Sequence, residues 1–357
     1  MKIAVMGCGT VGKSVVKMLD AAGDIKVKYI LELPEKCTEE RMVSDPESFF
    51  GDPEIETVVD VLPAVHPSYE LMKKALEAGK NVVTSNKAAL AFGYDELMGL
   101  AEKNGLSLRF EATCGGTIPV IEEAMKLSAT NEVTACFGIM NGTTNFILDS
   151  MIRGGVDFEP ALCEAKRLGY AEADPTADLS GYDVKNKIII LSNTAYHASV
   201  TDSFPVSGIE KITKDVLDSL AGSGQTVKLL GMSVRENDRY AIGVVPVILP
   251  AGSLEAGVPR NFNMFTLRCS YAGDVKLYGQ GAGGDPTADA VVRDLVEIAG
   301  KTVGSKKSTE KKTLVYDPDL LTGTGMIGDK CFTGSLASLY EKAKEFDEFF
   351  AFRPDFL

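Results

Sequence analysis

Apolar and polar positions alternate along the first third of the chain in a repeating rhythm. Short apolar runs, KIAVMG, VKYILE, TVVDVLP, NVVTSN and LSLRFEA, are separated by stretches with the helical repeat, from Val11 to Ala22, around Tyr69 to Ala78 and near Asp95 to Lys103. Strands and helices alternating at this spacing predict a parallel sheet covered on both faces, because each parallel pairing needs a crossover long enough to hold a helix. From about Cys114 the rhythm changes. EVTACFGIM, AIGVVPVIL and FTLRCSY read as strands set apart by longer excursions, which suits an antiparallel sheet with helices on one face. GQGAGGDPTADAVVRDLVEIAG then reads as a glycine loop feeding a helix, with Pro286 and Thr287 as start signals, expected to return against the first domain. The fold class is α/β, a doubly wound domain plus an α+β domain. The expected boundaries are residues 1–115 with 279–300, residues 116–278, and a C-terminal extension over 301–357 with one helical pattern, SLASLYEKAKEFDEFF.

Bulk properties narrow the function. A chain of 357 residues is long enough for two domains. Its net charge of −13 argues against a nucleic-acid partner, which needs clustered Lys and Arg, and the one basic run, Lys306 to Lys312, reads as a solvated loop. No stretch reaches the ~20 apolar residues that span a bilayer, and the N-terminus opens on a strand without a signal-peptide pattern, so no membrane contact and a cytoplasmic location are expected. Seven scattered cysteines show no metal or disulfide spacing. Only His66 and His197 are available, so a histidine-based acid/base mechanism has just two candidates and a His-rich metal site none.

Gly7-Cys8-Gly9-Thr10-Val11-Gly12 is a GxGxxG between a strand and a helix, the context in which the backbone admits a pyrophosphate at the helix N-terminus. Glu32, twenty residues after Gly12, is placed to accept ribose hydroxyls. Its neighbours Leu31 and Leu33 supply no cation for a 2′-phosphate, which favours NAD over NADP, although Lys36 is near enough to complicate the choice. Lys87 stands just past a strand at the carboxyl edge where doubly wound sheets bind ligands, with a surface lysine at a helix start as the alternative. The stretch GYAEADPTADLSGYDVKNKIII gathers acids ahead of an apolar helix. Asp183 and Lys187 are spaced i,i+4 on one face of it, which fits a solvated ion pair or a lysine at the edge of a buried surface. Glu172, Asp174 and Asp178 lack the glycine-punctuated spacing of a calcium loop.

These residues resemble the homoserine dehydrogenase family. The matching segments are GCGTVG, ALEAGKNVVTSNKAAL, FEATCGGTIP, GIMNGTTNFIL, LGYAEADPTADLSGYDVKNK, GIEKIT, KLLG and YGQGAGGDPTADAVVRDL, in the family's order across residues 1 to about 300. The resemblance implies a Rossmann dinucleotide-binding domain and an α+β catalytic and dimerisation domain, and NAD(P)-dependent interconversion of L-aspartate 4-semialdehyde and L-homoserine on the route to threonine, methionine and isoleucine. It implies that Lys187 moves the proton, that Lys87 lies between nicotinamide and substrate, and that Glu172 and Asp183 contact the substrate with Asp178 beside them. By the same resemblance, Gly142, Thr143 and Tyr170 are expected to line that pocket. Pro63, Ser85 and Gly283 join Gly7, Gly9, Thr10, Val11, Gly12, Glu32 and Lys87 around the cofactor. Glu111, Cys114, Gly116 and Ile118 fall where family members bind a structural sodium ion, largely through backbone carbonyls. A homodimer is expected, in a short form without a recognisable ACT regulatory domain. Two departures, VLPAVHPSYE in place of a GG-type turn and YILELPEK without an arginine after the second strand, touch cofactor details. The rival readings are a dehydrogenase of another small amino-acid alcohol and a non-catalytic dinucleotide sensor, which would have no need of Lys87, Glu172, Asp183 and Lys187.

Overall fold

A computed structural model describes residues 1–300, 311–346 and 348–357; the basic run from Lys306 lies mainly outside the described residues. The chain divides into two compact units, the first comprising Met1–Glu122 and the stretch from Ala282, the second Glu123–Gly281 and the stretch to Leu357.

The first unit contains strands β1 (Lys2–Met6), β2 (Lys26–Leu31), β3 (Met42–Val43), β4 (Ile55–Asp60), β5 (Asn81–Thr84) and β6 (Leu108–Arg109) in the order β3-β2-β1-β4-β5-β6. Every pairing is parallel. The helices are α1 (Thr10–Ala22), α2 (Glu47–Phe50), α3 (Val65–Glu77) and α4 (Lys87–Lys103); α5 (Val120–Ser128) contains the division between units. Helix α11 (Gly284–Ala299) returns to this unit and buries Ala288, Val291 and Leu295 with Ile3, Val5, Val15 and Leu19. That spacing of three and four residues is the apolar stripe of a helix packed by one face.

Two elements differ from the sequence expectation. Helix α4 starts at Lys87 rather than near Asp95, because the Asn86 side chain accepts the Ala89 N–H and caps the first turn. The predicted strand LSLRFEA is cut to Leu108–Arg109. From Phe110 the chain turns, with the Thr113 N–H bonded to Phe110 O and the Cys114 N–H to Glu111 O.

The second unit carries β7 (Val133–Ile139), α6 (Gly142–Gly154), α7 (Phe158–Arg167), α8 (Thr176–Leu179), α9 (Tyr182–Tyr196), α10 (Lys214–Gly222), β8 (Gln225–Glu236), β9 (Arg239–Pro250), β10 (Phe262–Cys269) and β11 (Gly273–Gln280). The C-terminal stretch adds β12 (Val315–Tyr316), β13 (Thr322–Ile327), β14 (Lys330–Ser335), α12 (Leu336–Lys344) and β15 (Phe350–Pro354). The sheet runs β11-β10-β7-β8-β9-β15-β13-β14, with β12 also on β9. It is antiparallel through its first five strands and becomes mixed where β15 and β12 join β9 in parallel.

Alternation along the strands sorts residues to the two faces. Ala135, Phe137 and Ile139 of β7 share a core with Leu230 and Met232 of β8, Val245 and Val247 of β9, and with Leu336, Leu339, Phe350 and Phe352 from the C-terminal stretch. On the other face α9 lies so close that a Cβ at Gly231 would stand 2.8 Å from Val184. The C-terminal stretch is therefore part of this core. Phe352→Ala should lower unfolding free energy by about 3–5 kcal/mol, the range for emptying a buried aromatic site, read from the urea midpoint; an unchanged midpoint would contradict it.

Candidate active site

In the first unit the turn after β1 brings backbone amides to the head of α1. Gly7 adopts φ +103°, and a Cβ at Gly12 would sit 2.2 Å from Gly7 O, so both positions require glycine. Gly9, the N-cap of α1, brings no side chain to cap the first turn, and a Cβ there would meet nothing within 4 Å. That open space at the head of α1 suits a pyrophosphate. The Glu32 carboxylate accepts from the Cys8 N–H at 3.2 Å and the Leu33 N–H at 3.0 Å, and Lys36 stands 4.0 Å from it. Glu32 is thereby fixed beside the glycine turn. Gly283 caps α11 next to it: the Ser14 hydroxyl donates to Asp285 at 2.7 Å, and a Cβ at Gly284 would be 2.8 Å from Thr10 Cγ2.

The turns after β4 and β5, which contain Pro63 and Ser85, are tied together by groups that sequence reasoning passed over. Asn86 Nδ2 donates to Leu62 O at 2.9 Å and Ala64 O at 2.7 Å, and the Ser85 N–H bonds Asp60 O at 3.0 Å. The buried Asp60 carboxylate accepts from Ser68 Oγ at 2.7 Å, Thr84 Oγ1 at 2.8 Å and the Leu62 N–H. The signal was a lone acid ending the apolar run TVVD. Lys87, half-buried, is the first residue of the helix that Asn86 caps.

Glu111 is buried; its carboxylate accepts from the Ile121 and Glu122 N–H groups, and its own N–H donates to Asp294. Burial pushes Glu111 up to about 7 and Asp294 well above the usual carboxylate range. Cys114 and Ile118 are buried beside the left-handed Gly116. Among the described residues no three His, Cys, Asp or Glu side chains converge as a metal site.

In the second unit the acids and the lysine meet. Asp183 and Lys187 lie on α9, 8% and 6% exposed, with Lys187 Nζ donating to Asp183 Oδ2 at 2.7 Å and to Met140 O at 2.7 Å. The solvated ion pair is thus excluded. Asp178, on α8, accepts from Asn141 Nδ2 at 2.7 Å and Thr143 Oγ1 at 3.2 Å. Burial first, and then the neighbouring Asp183 charge, push Asp178 above its ordinary range. Thr143 Oγ1 also bonds Tyr170 O at 2.6 Å, the Tyr170 ring lies 5.0 Å from Phe146, and a Cβ at Gly142 would be 2.7 Å from Asn261 O. Gly142, Thr143, Tyr170, Asp178, Asp183 and Lys187 therefore form one cluster. Glu172 is exposed on the loop after Tyr170. Asp174 accepts from Thr176 and starts α8. Asn141, also missed from sequence, donates to Asp183 Oδ2 at 2.8 Å.

His66 is exposed at the start of α3 and contacts Glu70, while His197 ends α9 against Ser128, its pKa lowered by burial. Neither joins the cluster.

A parallel sheet with a glycine turn open to a pyrophosphate, in a chain that also buries a lysine among acids, defines a nicotinamide-dependent oxidoreductase. The model for "Homoserine dehydrogenase, NAD binding domain" matches residues 7–111, and that for "Homoserine dehydrogenase" residues 119–296. The homoserine dehydrogenase of Mycobacterium tuberculosis is 38% identical over 87% of this chain and 75% of its own, and that of Corynebacterium glutamicum 35% over 88% and 76%. Among solved structures, a homoserine dehydrogenase from Thiobacillus denitrificans superposes with TM-score 0.84 at 30% identity, covering 91% of this chain and 81% of that one. A hyperthermophilic archaeal homoserine dehydrogenase in complex with NADPH gives 0.71 at 26%, over 84% and 98%. The chain belongs to the homoserine dehydrogenase family, and its reaction is the NAD(P)-linked interconversion of L-homoserine and L-aspartate 4-semialdehyde.

Burial raises Asp60 from 3.8 to about 6 against three hydrogen bonds that lower it. A carboxyl harder to ionise when folded than unfolded favours the fold below 3.8, and that contribution is lost as pH rises through about 6. The wild-type chain should lose about 3 kcal/mol relative to Asp60→Asn across this window. Urea midpoints at a series of pH values measure it, and parallel curves would refute it.

Proposed function

We propose that Lys187 is the proton donor and acceptor of this reaction, carried by one observation: its Nζ is buried and held at 2.7 Å by both Asp183 and Met140 O. NAD(P), when bound, supplies the hydride acceptor or donor. In homoserine oxidation the carbinol carbon gives up hydride and neutral Lys187 takes the hydroxyl proton; in reduction the Lys187 ammonium protonates the aldehyde oxygen as hydride reaches its carbon. Asp183 orients Lys187 and stabilises its cation. Glu172, Asp178 and Asp183 meet the substrate ammonium, and Gly142, Thr143 and Tyr170 line the pocket. Lys87 adds a second positive charge for the developing oxyanion.

Gly7, Gly9, Thr10, Val11 and Gly12 would hold the pyrophosphate, with Pro63, Ser85 and Gly283 around the cofactor. Glu32 would accept the ribose hydroxyls, and its charge opposes a 2′-phosphate, so NAD is favoured over NADP. Glu111 with the carbonyls of Cys114, Gly116 and Ile118 suits a structural sodium ion, since a cation would relieve the burial that raises Glu111. The second unit pairs two chains into a homodimer, which light scattering would read as a doubled mass.

The nicotinamide absorbance with homoserine tests the assignment. Lys187→Ala should lose about 10²–10⁴ in kcat, the usual worth of a general base, with the cofactor KM unchanged; wild-type turnover would sink the mechanism. Glu172→Gln should mainly raise the homoserine KM. The wild-type enzyme should give a higher kcat/KM with NAD than with NADP, and the reverse order would remove Glu32 as the discriminator.

A further inference from the structure

The two acids of the substrate cluster come from different elements, Asp178 from α8 and Asp183 from α9, and what joins them is the side chain of Asn141. Asn141 caps α6: its Oδ1 accepts from the Thr144 N–H at 2.8 Å and Thr144 Oγ1 at 3.0 Å. A backbone N–H can only donate, so the cap fixes which end of the amide is oxygen and turns Nδ2 toward the carboxylates. Each carboxylate then takes a hydrogen bond from Nδ2, at 2.7 Å to Asp178 Oδ1 and 2.8 Å to Asp183 Oδ2. The oxygen bonded to Asn141 on Asp183 is the one bonded to Lys187 Nζ, and the residue before Asn141 supplies the carbonyl that also holds Lys187. The junction of β7 and α6 therefore grips both members of the proton-transferring pair, one through the Met140 backbone and the other through the Asn141 amide.

We propose that Asn141 is a positioning residue for the reaction, and that bridging the acids with a neutral amide leaves a carboxylate charge for the substrate's ammonium. This rests on the reading of Lys187 given above. An arginine or lysine at 141 could bridge the same oxygens, but two carboxylates facing two cations would have no charge left for a cationic ligand. An amide supplies both hydrogen bonds without neutralising either acid. Burial and the Asp183 charge both disfavour ionisation of Asp178, and the hydrogen bonds from Asn141 and Thr143 oppose them.

Two substitutions separate positioning from capping. Asn141→Asp and Asn141→Ser both keep a good N-cap acceptor, so the first turn of α6 stays capped in each. Both lose the amide donor. In each, kcat should fall about tenfold to a hundredfold, the scale of a small misplacement of a reacting group, with the cofactor KM unchanged. The homoserine KM should divide the two, held or lowered by the added carboxylate of Asn141→Asp and raised in Asn141→Ser. Wild-type kcat in both variants beside an inactive Lys187→Ala would overturn the role of Asn141 alone. A kcat loss that only tracks a lowered thermal midpoint would reduce it to a cap, and a homoserine KM moving the same way in both would remove the charge argument. An active Lys187→Ala would overturn the reading of Lys187, and this inference with it.

Discussion

An ammonium group buried to 6% exposure is tolerated only where its lost hydration is replaced, and the second unit is arranged around that requirement at Lys187. Asp183, one turn earlier on α9, supplies the countercharge and Met140 O a second acceptor. Breaking such a pair leaves an uncompensated buried charge, which is why both partners must be held as well as present. Asp183 is held by Asn141, Asn141 by the first turn of α6, and α6 by Asn145, whose Nδ2 bonds the carbonyls of Val258, Arg260 and Phe262. A chain of hydrogen bonds thus runs from the lysine to the segment entering β10.

The sheet sets where that chain begins and ends. Met140 and Asn141 follow β7 directly, and α9 reaches them because Gly231 on β8 has no Cβ to hold Val184 and Ile188 away. The opposite face is closed by Leu336, Leu339, Phe350 and Phe352, so the strands under α9 are packed from both sides. A close-packed strand moves little, which matters where hydrogen bonds of 2.7 and 2.8 Å must all hold at once. The C-terminal stretch, far from the acids in sequence, bears on the site through this packing.

Legibility followed the range of the interaction. The glycine turn was plain because its meaning is local: Gly7 and Gly12 collide with their own neighbours if given a Cβ. Asp183 and Lys187 were plain as a pair, being four residues apart, yet whether they were solvated depended on β7 and β8, which no window around α9 contains. Asn141 is 42 residues from Asp183, and its N-cap position, legible in NGTTN, says nothing of where its nitrogen points. Asp60 and Asn86 stayed hidden for the same reason, their partners lying across neighbouring strands. The helix expected near Asp95 is the second half of α4, beyond Gly93, which leaves helical geometry at φ −116° and where a Cβ would strike the Tyr69 ring.

Four carboxylates, the buried Asp60, Glu111 and Asp294 and the partly buried Asp178, are all pushed toward their neutral forms by loss of hydration, yet their surroundings give them different prospects. Asp60 faces two hydroxyls and a backbone N–H inside the first unit, a closed arrangement that clamps two turns. Glu111 disfavours the charge of Asp294 while its own backbone N–H donates to that carboxylate. Asp178 shares with Asp294 a neighbouring carboxylate as the next cause after burial, and differs in its surroundings, an amide and a hydroxyl that donate to it beside Lys187. A cation placed beside Asp178 and Asp183, as proposed for the substrate's ammonium, would favour both ionised forms and offset the burial that disfavours the Asp178 charge. By linkage, such a gain would accrue to the affinity for a cationic ligand and not to the empty fold.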